Sequence, residues 1–413
     1  MAIIRDKGTT LKQILSVIPD DLLSKLTVDT KVDYCSKVLF GKHMFYLLLY
    51  GILKTDKLSQ RTLADIFSDP FFRTLFNIEG DRKLAHSSLS DRLSCIDMNF
   101  FRLSYDHIYS LLCQLYTPDE INKAQLQRVD STLISDASGM LKEGITCKGK
   151  KKTQKKMVKY SVVFDGTFAS LASLHTESSS ANENRTLPQS IFQHYLKKEK
   201  GHSDIYLIDR GVSSAEVFST FCKEKISFVG RLMDNRKLFV VEDLLKKDST
   251  DDIQTHTILE DKIVYLYKKE ECMGKSGKMV RKQVLVENPV RVVKISLEND
   301  PQKNISFITN NLEASALEIA QSYRRRWDIE VFFRFLKQEL NLGHLLSMNA
   351  NGIQVVMYMT LIVAMLIMIY KRFNNVGYTT AKRRMGLELN CLIAAILVIK
   401  SGGDLKKAGL NSP

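Results

Sequence analysis

One apolar run, IQVVMYMTLIVAMLIMIY from Ile353 to Tyr370, limits the folds open to this chain more than any other stretch. As a helix it would be about 27 Å long and apolar all round, so lipid or protein must cover every side of it. By length it just qualifies as a membrane span. It nevertheless contains Gln354 and Thr360, stands alone, follows a basic amphipathic stretch and is closed by Lys371 and Arg372. These features read as the central helix of a large core, with a membrane anchor as the competing reading.

A core of that size is within reach, because 413 residues with 44% apolar content suffice for two or three domains. The formal charge of +14 points outward, to a polyanionic partner such as nucleic acid. Seven cysteines are scattered without a C-x-x-C pair. That spacing suggests neither a zinc site nor a disulfide framework, and a reducing cytoplasm fits it best. The N-terminal MAIIRDKGTTLKQ has no apolar stretch, so no secretory signal is expected.

The periodicity divides the chain. Residues 1–118 read as a helical N-terminal domain, with SQRTLADIFSDPFF and HSSLSDRLSCID as short helices opened by capping serines. Two such helices in succession suit either a helix-turn-helix that reads DNA through Ser87 to Cys95, or an ordinary bundle. Pro118 marks the boundary. Beyond it LQRVDSTLIS, KYSVVFDG and TFASLASLHTE read as three successive strands. NRTLPQSIFQHYLKK then reads as a helix, SDIYLIDRG as a strand, SSAEVFSTFCKEK as a helix and SFVGRL as a strand. The expected fold is α/β, a mixed sheet flanked by helices. Between residues 234 and 302 the helices stop, and β-rich runs suggest an insertion before the α/β pattern resumes over residues 303–350. Residues 351–413 read as a helical C-terminal region.

Two strands carry an aspartate straight after apolar residues: Asp130 in QRVDST and Asp209 in IYLIDRG. Such a charge costs several kcal/mol unless a cation or a donor compensates it. A third acid stands on YRRRWDIEVFFRFLKQEL. Read as one continuous helix, this segment places Tyr323, Arg326, Glu330 and Lys337 within about a 60° arc, beside an apolar stripe of Ile329, Phe332, Phe333, Leu336 and Leu340. A merely solvated face needs no single acid among Arg324, Arg325, Arg326, Arg334 and Lys337. Three acids at one sheet edge could instead hold two Mg²⁺ ions, with Mn²⁺ as a substitute, and the basic neighbours could hold phosphates.

The spacing Y-x2-R-x3-E-x6-K, together with V-D-S-T at Asp130 and D-R-G at Asp209, resembles the YREK signature of transposases of insertion-sequence family four. The three motifs cover the chain from about Leu126 to Leu342. The resemblance implies a ribonuclease H-like catalytic domain formed by residues 119–233 and 303–350, in which Asp130, Asp209 and Glu330 are the DDE triad and the metal ligands. It also implies a β-rich insertion between the second Asp and the Glu, where residues 234–302 fall. Tyr323, Arg326 and Lys337 would then grip DNA near the element's 5′-phosphate. Trp327, the next residue after Arg326, is placed to wedge into a base stack or to pack under the helix. Where the D-R-G motif often continues with an aromatic, this chain has Val212.

Eight lysines lie between Lys142 and Lys159. A charge run this close to Asp130 reads as a phosphate track in which Lys156 and Lys159 contact DNA. Within it GITCKGKK matches the start of a phosphate-binding loop, but Lys151 stands where Ser or Thr must meet Mg²⁺, so the match is chance. His202 and His344 lack metal-ligand spacing.

The function expected is metal-dependent cleavage and strand transfer of an insertion sequence. The partners expected are the element's inverted repeats and target DNA, bound by a homodimer because two ends must be joined. The expected setting is the bacterial cytoplasm, at the nucleoid when DNA is bound and with no membrane. A hairpin intermediate is compatible with the family. A catalytically silent, transposase-derived DNA-binding protein is the alternative.

Overall fold

The computed structural model describes residues 9–16, 18–76, 78, 84–115, 125–147, 155–198, 203–245, 258–273, 279–297 and 300–409. The expected boundary at Pro118 and the lysines of 148–154 lie outside them. The chain forms two compact units.

The first unit comprises Met1–Thr117, Leu133–Val158 and Phe332–Pro413. Its described N-terminal helices are α1 (Leu11–Leu15), α2 (Asp20–Thr30), α3 (Gly41–Lys54), α4 (Gln60–Ser68), α5 (Pro70–Leu75), α6 (His86–Cys95) and α7 (Met98–Cys113). Ser59 caps α4 through the Thr62 amide, as expected. The second short helix differs: α6 starts at His86 behind Ala85, with no side-chain cap, and α5 intervenes between α4 and α6.

The long apolar run lies within α12 (Ala350–Asn374), which is followed by α13 (Tyr378–Lys400). α12 packs against α7, α13, α3, α6 and α1, and 89% of its most apolar window is buried. Protein covers this helix, so the anchor reading is set aside. The Thr360 hydroxyl donates to the Val356 carbonyl at 2.8 Å, which offsets the cost of burying it. Gly352 is required by close approach: a Cβ there would stand 2.4 Å from Ser347 Oγ and 3.1 Å from the Leu93 carbonyl oxygen.

The second unit comprises Pro118–Thr132 and Lys159–Val331. Its sheet is built from β1 (Leu126–Ser135), β3 (Lys155–Phe164), β4 (Ala169–His175), β5 (Ile205–Ile208), β6 (Ser227–Leu232), β7 (Leu238–Asp243), β8 (Ile258–Met273), β9 (Met279–Leu285), β10 (Val290–Leu297) and β11 (Asp300–Thr309). The neighbours run β3-β1-β5-β6-β11-β10-β8-β7, with β4 on β3 and β9 on β8. β1, β5 and β6 are parallel, whereas β11, β10, β8, β7 and β9 continue antiparallel. The mixed α/β class read from the sequence is the observed one.

Two details depart from the expected strands. A short strand, β2 (Ile145–Cys147), precedes β3 and pairs with it from Ile145↔Met157 to Cys147↔Lys155. The β-rich runs after residue 234 continue the same sheet, because β11 pairs with both β6 and β10.

The helices α8 (Glu183–Lys197) and α9 (Ala215–Lys223) pack on the sheet. Leu187 and Ile191 of α8, and Phe218 and Phe221 of α9, join Val129, Tyr206, Ile208 and Phe228 of the strands in one core. A second cluster joins Leu207, Val229, Val293 and Phe307 to Ile319 and Ala320 of α10 (Ala316–Arg324). The sheet is therefore apolar on both faces, which is why its central strands read as continuous hydrophobic runs.

Candidate active site

β1 and β5 pair in parallel, in a register that ends at Val129↔Ile208. Asp130 and Asp209 each come one residue later and so stand at the same level of neighbouring strands, which are about 4.8 Å apart. The carboxyl ends of parallel strands are where α/β sheets receive ligands. The D-R-G turn closes through the Val212 amide on the Asp209 carbonyl at 3.1 Å, and Val212 is buried in the core. An aliphatic residue thus fills the place of the motif's frequent aromatic.

The third acid arrives on a broken helix. α10 ends at Arg324 and α11 (Trp327–Glu339) starts three residues later. The amides of Arg325, Arg326, Asp328 and Ile329 bond carbonyls three residues back, at 2.9–3.2 Å. The single continuous helix expected from the periodicity is therefore tightened and interrupted at Arg325–Arg326.

Arg128 holds this turn. Its Nη2 meets Asp328 Oδ2 at 2.9 Å, its Nε donates to the Arg325 carbonyl at 3.2 Å, and its Nη1 donates to the carbonyls of Leu126 and of Asp165, the latter at 2.9 Å. Gly166, at φ +102°, leaves room for the guanidinium, since a Cβ there would stand 2.8 Å from Arg128 Nη1. Sequence reasoning missed this residue. The available signal was an arginine two positions before Asp130 on the same strand.

The acids converge on Arg326. Its Nη1 lies 3.4 Å from Asp130 Oδ2, its Nη2 2.5 Å from Glu330 Oε1 and its Nε 4.0 Å from Asp209 Oδ1. Nε is buried and makes no hydrogen bond. Tyr323 donates its hydroxyl to Asp209 Oδ1 at 3.4 Å, and its ring lies beneath the Arg326 guanidinium. Burial alone would lower the pKa of Arg326, but its neighbours Tyr323, Glu330, Asp209 and Asp130 raise it overall. Burial raises Tyr323 to about 12, with Asp209 adding to the rise.

Asp130 shows the tension most clearly. Burial pushes its carboxyl up to about 6, the negative charges of Asp209 and Glu183 add to that, and the Ser131 amide and Arg326 pull it down. One guanidinium against three carboxylates leaves the pocket short of positive charge.

Among the described residues, no three or more His, Cys, Asp or Glu side chains stand at metal-coordinating spacing. Each of the three carboxylates faces Arg326. The donor set nevertheless fits a hard divalent ion: it is all oxygen, has excess negative charge and already gathers a cation.

The other expected contacts fall differently. Trp327 is 55% exposed at the first position of α11, so it is not a core aromatic. In the first unit, Lys337 Nζ lies 3.4 Å from the Leu133 carbonyl, with its pKa lowered by burial, and Lys156 Nζ donates to the Lys142 carbonyl at 2.6 Å. Lys159 corrects the expectation of a DNA contact. It is 2% exposed and its ammonium donates to the Ala181 carbonyl at 2.7 Å, within the part of β3 that is buried at every position from Val158 to Phe164.

Asp130 and Asp209 thus stand level where the parallel pairing of β1 and β5 ends, and a helix brings Glu330 to the same guanidinium. The chain belongs to the family of the Transposase DDE domain, whose profile matches residues 123–366. Membership carries a general dependence on divalent metal. Among related proteins, the putative transposase y4zB of Sinorhizobium fredii is 25% identical over 171 residues, 41% of this chain and 44% of that protein. The probable transposase for insertion sequence element IS5377 of Geobacillus stearothermophilus is 43% identical over 51 residues, 12% of this chain and 14% of its own. Each match thus spans less than half the length of the curated relative. Among solved structures, the piggyBac transposase synaptic complex with hairpin DNA superposes with a TM-score of 0.51 at 11% identity, covering 95% of this chain and 82% of that one. That likeness concerns the fold.

Proposed function

We propose that this chain is a DNA transposase that frees a 3′-hydroxyl at the ends of an insertion sequence and transfers it to target DNA. Asp130, Asp209 and Glu330 are the residues to hold two Mg²⁺ ions, with Mn²⁺ as a substitute. Such ions, when bound, supply an activated water or hydroxyl and stabilise the leaving oxygen. The observation that carries this reading is the convergence of three acids, far apart in sequence, on the single guanidinium of Arg326.

The chain's own residues divide the remaining work. Arg326 and Tyr323 line the pocket and are free to exchange carboxylates for DNA phosphates once another cation neutralises the acids. Lys337 and Lys156, both in the first unit, are the lysines offered to DNA phosphates. Trp327 offers an exposed face on which a base can stack. Two protomers act together, because two ends are joined in one complex.

Cleavage of DNA carrying the element's ends, with Mg²⁺ or Mn²⁺, tests the assignment. Glu330→Gln should abolish nicking while retaining DNA binding, and unchanged nicking in this variant removes Glu330 from the site. A second reading is a silent DNA-binding descendant. Wild-type protein that binds end DNA without any divalent-dependent nicking favours it.

A further inference from the structure

A fourth carboxylate stands at this pocket. Glu183 is the first residue of α8, and its position is fixed from three sides. The Ser131 hydroxyl, one residue after Asp130, points to Glu183 Oε1 at 3.4 Å. A Cβ built on Gly211, two residues after Asp209, would fall 1.6 Å from Glu183 Oε2, so the glycine of the D-R-G turn gives its space to this carboxylate. Asn184, the next residue, accepts the Ser213 and Ser214 amides at 2.7 and 2.8 Å and ties the end of α8 to the loop after Asp209. Asn182 caps the helix through the Asn184 amide, so the first turn of α8 is held independently of Glu183.

A simpler role for Glu183 is favourable charge at a helix N-terminus. That role explains an acid in the first turn. It does not explain why the chain leaves Gly211 bare beneath this carboxylate, or why the acid is aimed at the residues that follow both aspartates. Gly211 does not have a positive φ, so backbone conformation gives no other reason for a glycine.

We propose that Glu183 is a positioning residue for the divalent ion held by Asp130 and Asp209, adding a fourth negative charge outside the direct ligands. The inference rests on the metal-dependent reading above. Groups that orient and polarise the ligands of a metal typically change its affinity by about 10–100-fold when removed. The charge Glu183 adds beside Asp130 acts in the same sense, since it also raises the cost of leaving the pocket without a cation.

The test is direct Mn²⁺ titration of the full-length, metal-stripped chain, with free Mn²⁺ followed by electron paramagnetic resonance and no DNA present. Glu183→Gln should weaken Mn²⁺ binding at least tenfold, and Glu183→Asp should recover part of the loss. Gly211→Ala should also weaken binding, because its methyl must displace the carboxylate while leaving Glu183 and the capping residue in place. This variant carries the test if Glu183→Gln proves unstable. Placing Gly211→Ala on Glu183→Gln should then cost little more. Unchanged Mn²⁺ affinity in both single variants, with Asp209→Asn still weakening it, overturns the role of Glu183 alone. A wild-type chain with no Mn²⁺ site, or one indifferent to Asp209→Asn, overturns the reading beneath it as well.

Discussion

Replacing Arg326 by alanine removes the cation on which three carboxylates depend. At separations of 3.4, 2.5 and 4.0 Å each attraction is large on its own, about 4 kcal/mol per pair in a medium of intermediate dielectric. Much of that sum is offset by the cost of drying the guanidinium. Breaking a buried ion network by deleting one partner typically costs about 3–5 kcal/mol. Side-chain exposures of 35% for Asp209 and 32% for Glu330 admit screening water, against 17% for Asp130, so the lower end applies. A loss of about 3 kcal/mol in a unit of this size lowers the melting temperature by about 6–12 °C.

Divalent ion should then restore what alanine removes. An ion at a hundred times its dissociation constant stabilises the folded chain by about 2.7 kcal/mol. Arg326→Ala should gain more from it than the wild type, in which the ion must first displace the guanidinium. The assay is thermal unfolding followed by circular dichroism, with and without Mn²⁺, for both proteins. Identical melting of the two without Mn²⁺, or an equal gain from the ion in both, would refute the view that Arg326 holds the place of a cation.

Two further outcomes follow from the same pocket. The folded carboxyl of Asp130 titrates near 6 against an ordinary 3.8, so protonation favours the folded chain. The cost of its charge is absent below about pH 4, grows between the two values and is complete above about pH 6, where it amounts to about 3 kcal/mol. In urea titrations without divalent ion, Asp130→Asn should therefore be more stable than wild type at pH 7 and indistinguishable near pH 4. A variant less stable at pH 7 contradicts the sign. Binding to end DNA should weaken steeply with salt, log K falling by about 0.9 per phosphate neutralised for each unit of log salt. Lys156→Ala should reduce that slope by about one, and an unchanged slope removes this lysine from the interface.

How much of this was legible in the sequence depended on how local each signal was. The apolar run Ile205–Ile208 placed Asp209 at the end of β5, because burial on both faces of a parallel sheet writes itself as continuous hydrophobic sequence, whereas Asp130 lies within β1, where its pairing with β5 ends. The spacing from Tyr323 to Lys337 marked the third acid, yet periodicity could not show the break at Arg325–Arg326. That break is imposed by Arg128, whose partners are mostly distant in sequence. Lys159 was misread for a related reason. A lysine run looks uniformly solvated until the fold covers part of it: β3 is buried at every position from Val158 to Phe164, and the run's final member, Lys159, donates to the Ala181 carbonyl there. Glu183 and Gly211 carried no signal separately; their relation exists only once α8 is folded over the end of β5.

The central claim is that Asp130, Asp209 and Glu330 share a divalent-ion site now spanned by Arg326. Crystals of the protein equilibrated with Mn²⁺, measured at the manganese absorption edge, address it most directly. The account predicts anomalous density within about 2.0–2.6 Å of carboxylate oxygens from all three residues, with the guanidinium withdrawn from between them. Density confined to other surfaces, with Arg326 still bridging the three acids at saturating Mn²⁺, would contradict it.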